Sequence, residues 1–522
     1  MNMRKLYTAA LTASLALTAS CDDFLDVNQN PNGPETVQAN IYLSPMIHWM
    51  VTSPLFDGRF VGRYTQQYVL TGTALSTWDR MGYDPSSDNG AQLWRDVYWS
   101  FGQNLVDMTN LAEAEERWDL LGVAKVLKAW GWLMVTGLHG ELIVKEAINQ
   151  GTFSFNYDSQ EYAYQEIIKL LDEAIVLLQR TDGAVNSAYL GRTDKLYNGD
   201  RTKWLKLAYG FKAMTLNHFS NKASYKPLDV IAAVDLSLAS NADDAVFTWS
   251  AVSADNADRN FLGRTRGNFN AYRQTNFVLG LMNGTVFTGA VDPRMSRMLA
   301  PSPDGQYRGL DVNVVGFGAL TAAQQPNNFH GYAGTGGLAL PGRYLWADKA
   351  KMPILTYSQL QFIKAEAAFK AGNRAVALQA YTNGVSTHID FVNARNADDG
   401  QSPTAISAAE KSAFLATPSV IPTAANLTIS HIMSQKYIAQ WAWAHNEIWM
   451  DLRRYNYTDI DPAAGRQVFP GFTPPTNLYP DNGGKVVHRI RPRFNSEYVW
   501  NRPGLDAIGG LALDYHTKPL WI

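Results

Sequence analysis

The amino-acid sequence predicts a mainly α protein, a tetratricopeptide-like helical scaffold carrying long loop-rich insertions and few short strands. Three observations predict it. Several long segments repeat apolar residues at the 3.6-residue period of an amphipathic helix. One of them turns back at a glycine into a helical hairpin close to the roughly 34-residue tetratricopeptide unit. Two further stretches, 250–350 and 455–522, are rich in Gly, Pro and Asn with little periodicity, and read as ordered loops and short strands laid over the helices. A hydrophobic fraction of 46 % with 18 % charged residues describes a folded globular chain. Its formal net charge of −2, with no lysine or arginine block, argues against a nucleic-acid partner.

The elements follow in chain order. Arg4 and Lys5 precede an uncharged run, Leu6 to Ser20, which is a signal-peptide layout for residues 1–20. That run is too short for a hydrocarbon core needing about 20 residues. Thr18, Ala19 and Ser20 stand directly before Cys21, the only cysteine, as in the pattern cut by lipoprotein signal peptidases, although Leu17 sits one position earlier than usual. One thiol has no partner for a disulfide within the chain, so Cys21 is expected to carry lipid. Residues 21–36 form the acylated start and a tether, with Pro31 and Pro34 forcing extended geometry on their predecessors.

From 37 to 522 we expect one domain, with helical repeats over about 37–250 and 355–455. In DSQEYAYQEIIKLLDEAIVLLQ (158–179), Tyr164, Ile167, Ile168, Leu171, Ile175 and Leu178 share a stripe, and Asp158 with Glu161 predicts a capping box. The segment from Thr356 to Asn393 starts with Thr356 and Gln359 in the same pattern, stops at Gly372 and restarts at Asn373. Its alanines let the two helices approach closely. Helices are also predicted over 122–137, over 202–217 and, as one piece, through ISHIMSQKYIAQWAWAHNEIWMDLRRY (429–455). Trp130, Trp132, Trp204, Trp441 and Trp443 lie on these segments and are expected to serve packing.

No catalytic constellation stands out. The nine histidines show no HExxH and no metal-binding spacing, no GxSxG occurs, and DPSSDNG (84–90) lacks the glycine that a calcium loop needs at its sixth position. GYAGTGGLALPG (331–342) has neither a strand before it nor Lys-Ser/Thr after it, so it is not a phosphate cradle. No metal or other cofactor is implied. Aromatic residues make up 12 % of the chain, including 15 Trp and 25 Tyr, which suits flat polyhydroxylated or peptide ligands as well as helix packing.

Taken in order, CDDFLDVN, NPNGPETV, the FIKAEAAFKAG hairpin, WMDLRRYNY and RIRPRFNSEYVWN resemble the SusD/RagB-like nutrient-binding outer-membrane lipoproteins, in the branch with an NPNxPxxV start. The resemblance runs from Met1 to beyond Asn501. It implies a lipid-anchored protein exposed on the outer membrane that passes oligosaccharide or peptide to a SusC-like TonB-dependent transporter, with Asp22 and Asp23 as the surface-export signal. It implies no enzyme. An exported glycan hydrolase is the alternative, and no base–nucleophile pattern favours it. A sugar site needs an aromatic platform beside polar acceptors. Trp78 and Asp79, Asp57 and Arg59, and Tyr332, Tyr344 and Trp346 around the Gly-rich loop are therefore the predicted ligand-binding residues. The competing expectation is that these aromatics pin their own loops to the scaffold.

Overall fold

The computed structural model describes residues 37–522, except 73–75, 85–86, 150, 253–255, 314–315, 331–341 and 402. Cys21, the tether and Tyr332 lie outside the described residues.

Ten helices form the scaffold: α1 (Leu43–Tyr64), α2 (Gly102–Ala114), α3 (Trp118–His139), α4 (Gln160–Gln179), α5 (Arg201–Asn217), α6 (Pro227–Asp235), α7 (Tyr357–Lys370), α8 (Arg374–Asn396), α9 (Ile429–Gln440) and α10 (His445–Arg454). Successive members of α3 to α8 pack on one another, and α9 and α10 close the stack against α7, α3 and α1. Short-range chemistry fixes where each begins. Asp200 accepts from the N–H groups of Thr202 and Lys203, Thr356 from Gln359, and Asn373 from Val376; each satisfies a donor that the helix start leaves unpaired. Gly372 ends α7 at φ +78°, as the sequence predicts. Two glycines set how closely the hairpins close. A Cβ on Gly122 would lie 2.7 Å from Leu178, and one on Gly384 would lie 2.8 Å from Phe362.

Two sequence expectations are corrected. Helix α4 is capped by Ser159, whose side chain accepts from the N–H of Tyr162, rather than by Asp158. Asp158 instead accepts from the N–H groups of Val144 and Lys145, and so holds the segment after α3. The helix expected over 429–455 is broken at 441–444, where Ala442 adopts φ +76° and Trp441, at 0 % exposure, turns into the core. Glycine or proline would have announced that break; an alanine does not.

Strands are few and short. They pair antiparallel as β1 (Tyr68–Leu70) with β3 (Tyr272–Gln274), β2 (Ala245–Phe247) with β4 (Met352–Leu355), and β5 (Ile460–Asp461) with β6 (Arg466–Gln467). The first pair ties the loop-rich 250–350 region to the segment after α1, and the second joins the two ends of that region. Between α7 and α10 lies a buried ionic network. Glu366 accepts from Arg454 at 2.7 and 2.9 Å, from the Tyr455 hydroxyl at 2.7 Å and from the Asn217 amide at 2.8 Å. Asp451 accepts from Arg454 at 2.6 Å and from Lys436 at 2.9 Å. Burial opposes charge on Glu366, but the Arg454 guanidinium more than offsets it and holds the carboxyl far below its usual range. WMDLRRY is therefore an internal brace of the scaffold.

Candidate functional site

The residues expected to touch ligand are mostly inside the protein. Trp78 is 5 % exposed, wedged among Phe60, Tyr64 and Tyr83 at ring distances of 4.6, 5.4 and 5.3 Å. Asp79 is buried in an ion pair with Arg63 at 2.7 Å. Tyr344 and Trp346 are both 0 % exposed, and Trp346 stacks on Phe329 at 4.2 Å. Arg59 is partly covered, lying over the Phe56 ring at 4.1 Å. In this structure these side chains face protein, for the reason weighed in the sequence: aromatics beside Gly-rich turns anchor those turns to the core, where each buries a large apolar area. None of the described ones lines the clefts of 430, 500 and 830 Å³.

Asp57 has a different task. Fully buried, it accepts from the N–H of Gln92 at 3.0 Å and of Leu93 at 2.8 Å, and so caps the short helix Gln92–Arg95. Burial pushes its carboxyl up to about 7 against the pull of those two donors, and the nearby Asp96 carboxylate adds to the rise. The capped helix continues into a π-helical turn, Asp96–Phe101. A π turn is a rare feature that recurs at functional sites.

That turn carries the best-formed candidate site. Trp94 and Tyr98 face inward, 5.0 Å apart, with Trp94 also 5.0 Å from His139. Tyr98 clamps the segment after α3, its hydroxyl donating to the Ile143 carbonyl at 2.7 Å and accepting from the Ile143 N–H at 2.9 Å. Trp99, one residue on, points the other way and is 67 % exposed, with the Arg95 guanidinium 4.2 Å from its ring centre. Together with Phe155, Asn149, Arg493 and Glu497, these residues wall a cleft of 430 Å³. A second π turn, Phe494–Trp500, supplies the opposite wall. Arg493 pairs with Asp88 at 3.0 Å, and Glu497 accepts from Tyr157 at 2.7 Å and Asn501 at 2.9 Å. Two wider depressions, of 830 and 500 Å³, each have one buried tyrosine, Tyr515 or Tyr455, as the only Phe, Tyr or Trp in their walls. The 430 Å³ cleft alone of these three joins an exposed aromatic face to polar groups, the combination that a sugar ring's apolar face and hydroxyl edge require.

The sequence held a usable signal for this cleft. In LWRDVYWSF (93–101), Trp94 and Tyr98 lie four apart on a buried stripe, whereas Trp99 falls off it. Among the described residues no group of His, Cys, Asp or Glu is arranged to hold a metal ion.

A helical-repeat scaffold with a loop-built aromatic cleft defines a class of architecture, and comparison with known proteins narrows it. The chain belongs to the SusD-like family: the model of that family, described as starch-binding and associating with the outer membrane, matches residues 31–480. Solved structures share the fold. A SusD/RagB family protein from Bacteroides thetaiotaomicron superposes with a TM-score of 0.67 at 20 % identity, covering 93 % of this chain and 99 % of that one. A SusD homolog from Bacteroides fragilis gives 0.70 at 17 %, with the same coverage. A chitin-binding SusD homolog from Flavobacterium johnsoniae gives 0.65 at 17 %, covering 93 % and 98 %. No curated protein matches the chain.

Proposed function

We propose that this protein is a surface-exposed, lipid-anchored nutrient receptor that captures an oligosaccharide in the Trp99 cleft and hands it to a SusC-like TonB-dependent transporter. The observation that carries the reading is the exposed Trp99 face, backed by Arg95 and set beside Asn149, Arg493 and Glu497 in one cleft. An apolar sugar face stacks on the indole while hydroxyls meet the polar wall. Family membership supports a glycan over a peptide. Capture without turnover is supported by the acid inventory of the cleft: Glu497 is the one carboxylate among its described lining residues and is already engaged by Tyr157 and Asn501, whereas glycoside hydrolysis uses two. The anchor rests on Cys21 and the acids after it, and the transporter on the family resemblance.

Calorimetric titration against starch-derived and chitin-derived oligosaccharides tests the reading. The wild-type protein and Trp78→Phe bind one class alike, and Trp99→Ala binds it more weakly by about 1–3 kcal/mol. Undiminished affinity in Trp99→Ala, or release of shorter sugars over time, overturns it. Co-purification of a TonB-dependent barrel from native outer membrane tests the partner, and its absence in mild detergent counts against the handover.

A further inference from the structure

Behind the cleft lies a second, separate pocket. It is 210 Å³ in volume and sits between α2, α3 and the segment that follows α3. Its walls are apolar: Val97, Phe101, Leu105, Val106 and Val144. Ala147 and Ile148 belong to both spaces, so the pocket and the cleft share one thin partition. The backbone around that partition is unusual in three places. Residues 96–101 form the π turn, Gly102 sits at φ +25°, ψ −120°, and Ile148 is held at φ +62°. A β-branched residue in the left-handed region is a genuine outlier, kept only where its surroundings over-determine it, and such outliers cluster at ligand clamps. The Ile148 side chain reaches to 3.8 Å from where a Gly102 Cβ would stand, so two of the outliers meet at the partition.

The polar lining consists of Thr109, Asn110, Lys128 and the Trp132 indole, and two of these offer donors that no acceptor among the described residues takes. Trp132 is 3 % exposed and its indole N–H has no hydrogen-bond partner among the described residues. Lys128 lines the pocket and makes no ion pair among the described residues; the acids nearest it, Glu166 and Glu173, are paired with Lys169 and Lys125. A buried donor without a partner costs free energy, which an acceptor brought by a ligand would recover. In size, a dry apolar cavity of roughly 150 Å³ holds a benzene ring, so 210 Å³ admits a ring with a short arm.

We infer that this pocket binds an aryl-acyl group, its ring among Val97, Leu105, Val106 and Ile148 and its carbonyl or carboxylate facing the Trp132 N–H and Lys128. The group has two possible sources: a free aromatic acid, or an ester substituent on the sugar chain held in the adjoining cleft. The second source rests on the glycan reading of the cleft; the first does not.

Three probes separate them: free 4-coumarate, a 4-coumaroylated xylo-oligosaccharide, and the same oligosaccharide after saponification, each titrated into the intact protein. Free 4-coumarate binds; Val106→Trp, which fills the pocket, abolishes binding, and Lys128→Gln weakens it about tenfold, as loss of a charge-assisted hydrogen bond does. Because Lys128 is exposed, that variant reads binding without endangering the fold. Trp99→Ala leaves 4-coumarate affinity unchanged, so failure of the glycan reading would not masquerade as failure of this one. If the linked source is right, the ester binds more tightly than its saponified form, and Val106→Trp erases the difference. Equal affinity of the two, with 4-coumarate still bound, assigns the pocket to free acids. Absence of both 4-coumarate binding and any gain from the ester overturns the inference, as does binding that Val106→Trp does not affect.

Discussion

Two tryptophans of this chain each lie within four residues of an Asp and an Arg and have opposite fates. Trp78 is followed by Asp79 and Arg80, and Trp99 is preceded by Arg95 and Asp96, yet the first is 5 % exposed and the second 67 %. What separates them is the element that holds each. Trp78 sits in a turn that is held to the scaffold by burying its own side chains, Trp78 with Met81 and Tyr83, and by the buried Arg63–Asp79 pair. Trp99 sits on a helical turn already anchored by Trp94 and Tyr98 on its other side, which leaves its own ring free to face solvent. An aromatic next to charges is therefore a poor marker of a ligand platform. On the proposed reading, an aromatic that falls off an already sufficient buried stripe is the better marker.

The comparison breaks most visibly if the interior is less committed than its geometry implies. Glu366→Gln should cost about 3–5 kcal/mol in chemical denaturation, because it leaves Arg454 charged and under-compensated inside the scaffold; a loss below about 1 kcal/mol would mean that the network is hydrated and not a brace. Trp78→Ala should also cost about 3–5 kcal/mol, as large aromatic truncations in cores do. Trp99→Ala is the counterpart. Its stability should stay within about 0.5 kcal/mol of wild type while glycan affinity falls by about 1–3 kcal/mol, the range of stacking on an aromatic side chain.

Asp57 links the two regions, since it is buried like Asp79 but caps the helix that leads to Trp99. Its folded-state value of about 7 lies above the ordinary 3.8, so its contribution to stability is fully present below 3.8 and is lost as pH rises through 7. Asp57→Asn keeps an acceptor for the helix N–H groups and removes the titration. The stability of the variant relative to wild type should therefore climb with pH between 4 and 7, at up to about 1.4 kcal/mol per unit. Urea midpoints of the two proteins at several pH values check this, and parallel curves would show that Asp57 ionises normally. Burial acts with the opposite sign on His139 and His445, both pushed down to about 3: their contribution is present above 6.5 and is lost as pH falls towards 3. Subtracting variant from wild type cancels that background. The smallest effect on the fold comes from Cys21→Ala, which should leave the melting temperature unchanged while moving the protein out of the membrane fraction; continued membrane fractionation in a strain lacking the transporter would contradict a lipid anchor at Cys21.

Much of the scaffold was legible because helix starts are local. Thr356, Asn373 and Gly372 act within four residues of themselves, and the stripe from Tyr164 to Leu178 requires only one neighbour to pack on. The break at Ala442 was not legible, because it is imposed by contacts distant in sequence: Gln67 takes the N–H of Ala442 at 3.0 Å and the indole N–H of Trp441 at 3.3 Å. The cleft was half legible. Its aromatic residues are conspicuous in LWRDVYWSF, but its second wall comes from residues 493–497, some 400 positions away, and no local pattern announces which loops will meet. The burial of Trp78 and Trp346 was not legible for a related reason, since the partners that bury them, Phe60 and Phe329, lie elsewhere on the chain.

The central claim is that Trp99, and not Trp78 or Trp346, is the surface on which ligand rests. A crystal structure of the protein with the oligosaccharide selected by titration addresses it most directly. The account predicts a sugar ring stacked on the Trp99 face opposite Arg95, with hydroxyls within hydrogen-bond distance of Asn149, Arg493 or Glu497. Ligand density seated elsewhere, with the Trp99 indole still facing open solvent, would contradict it.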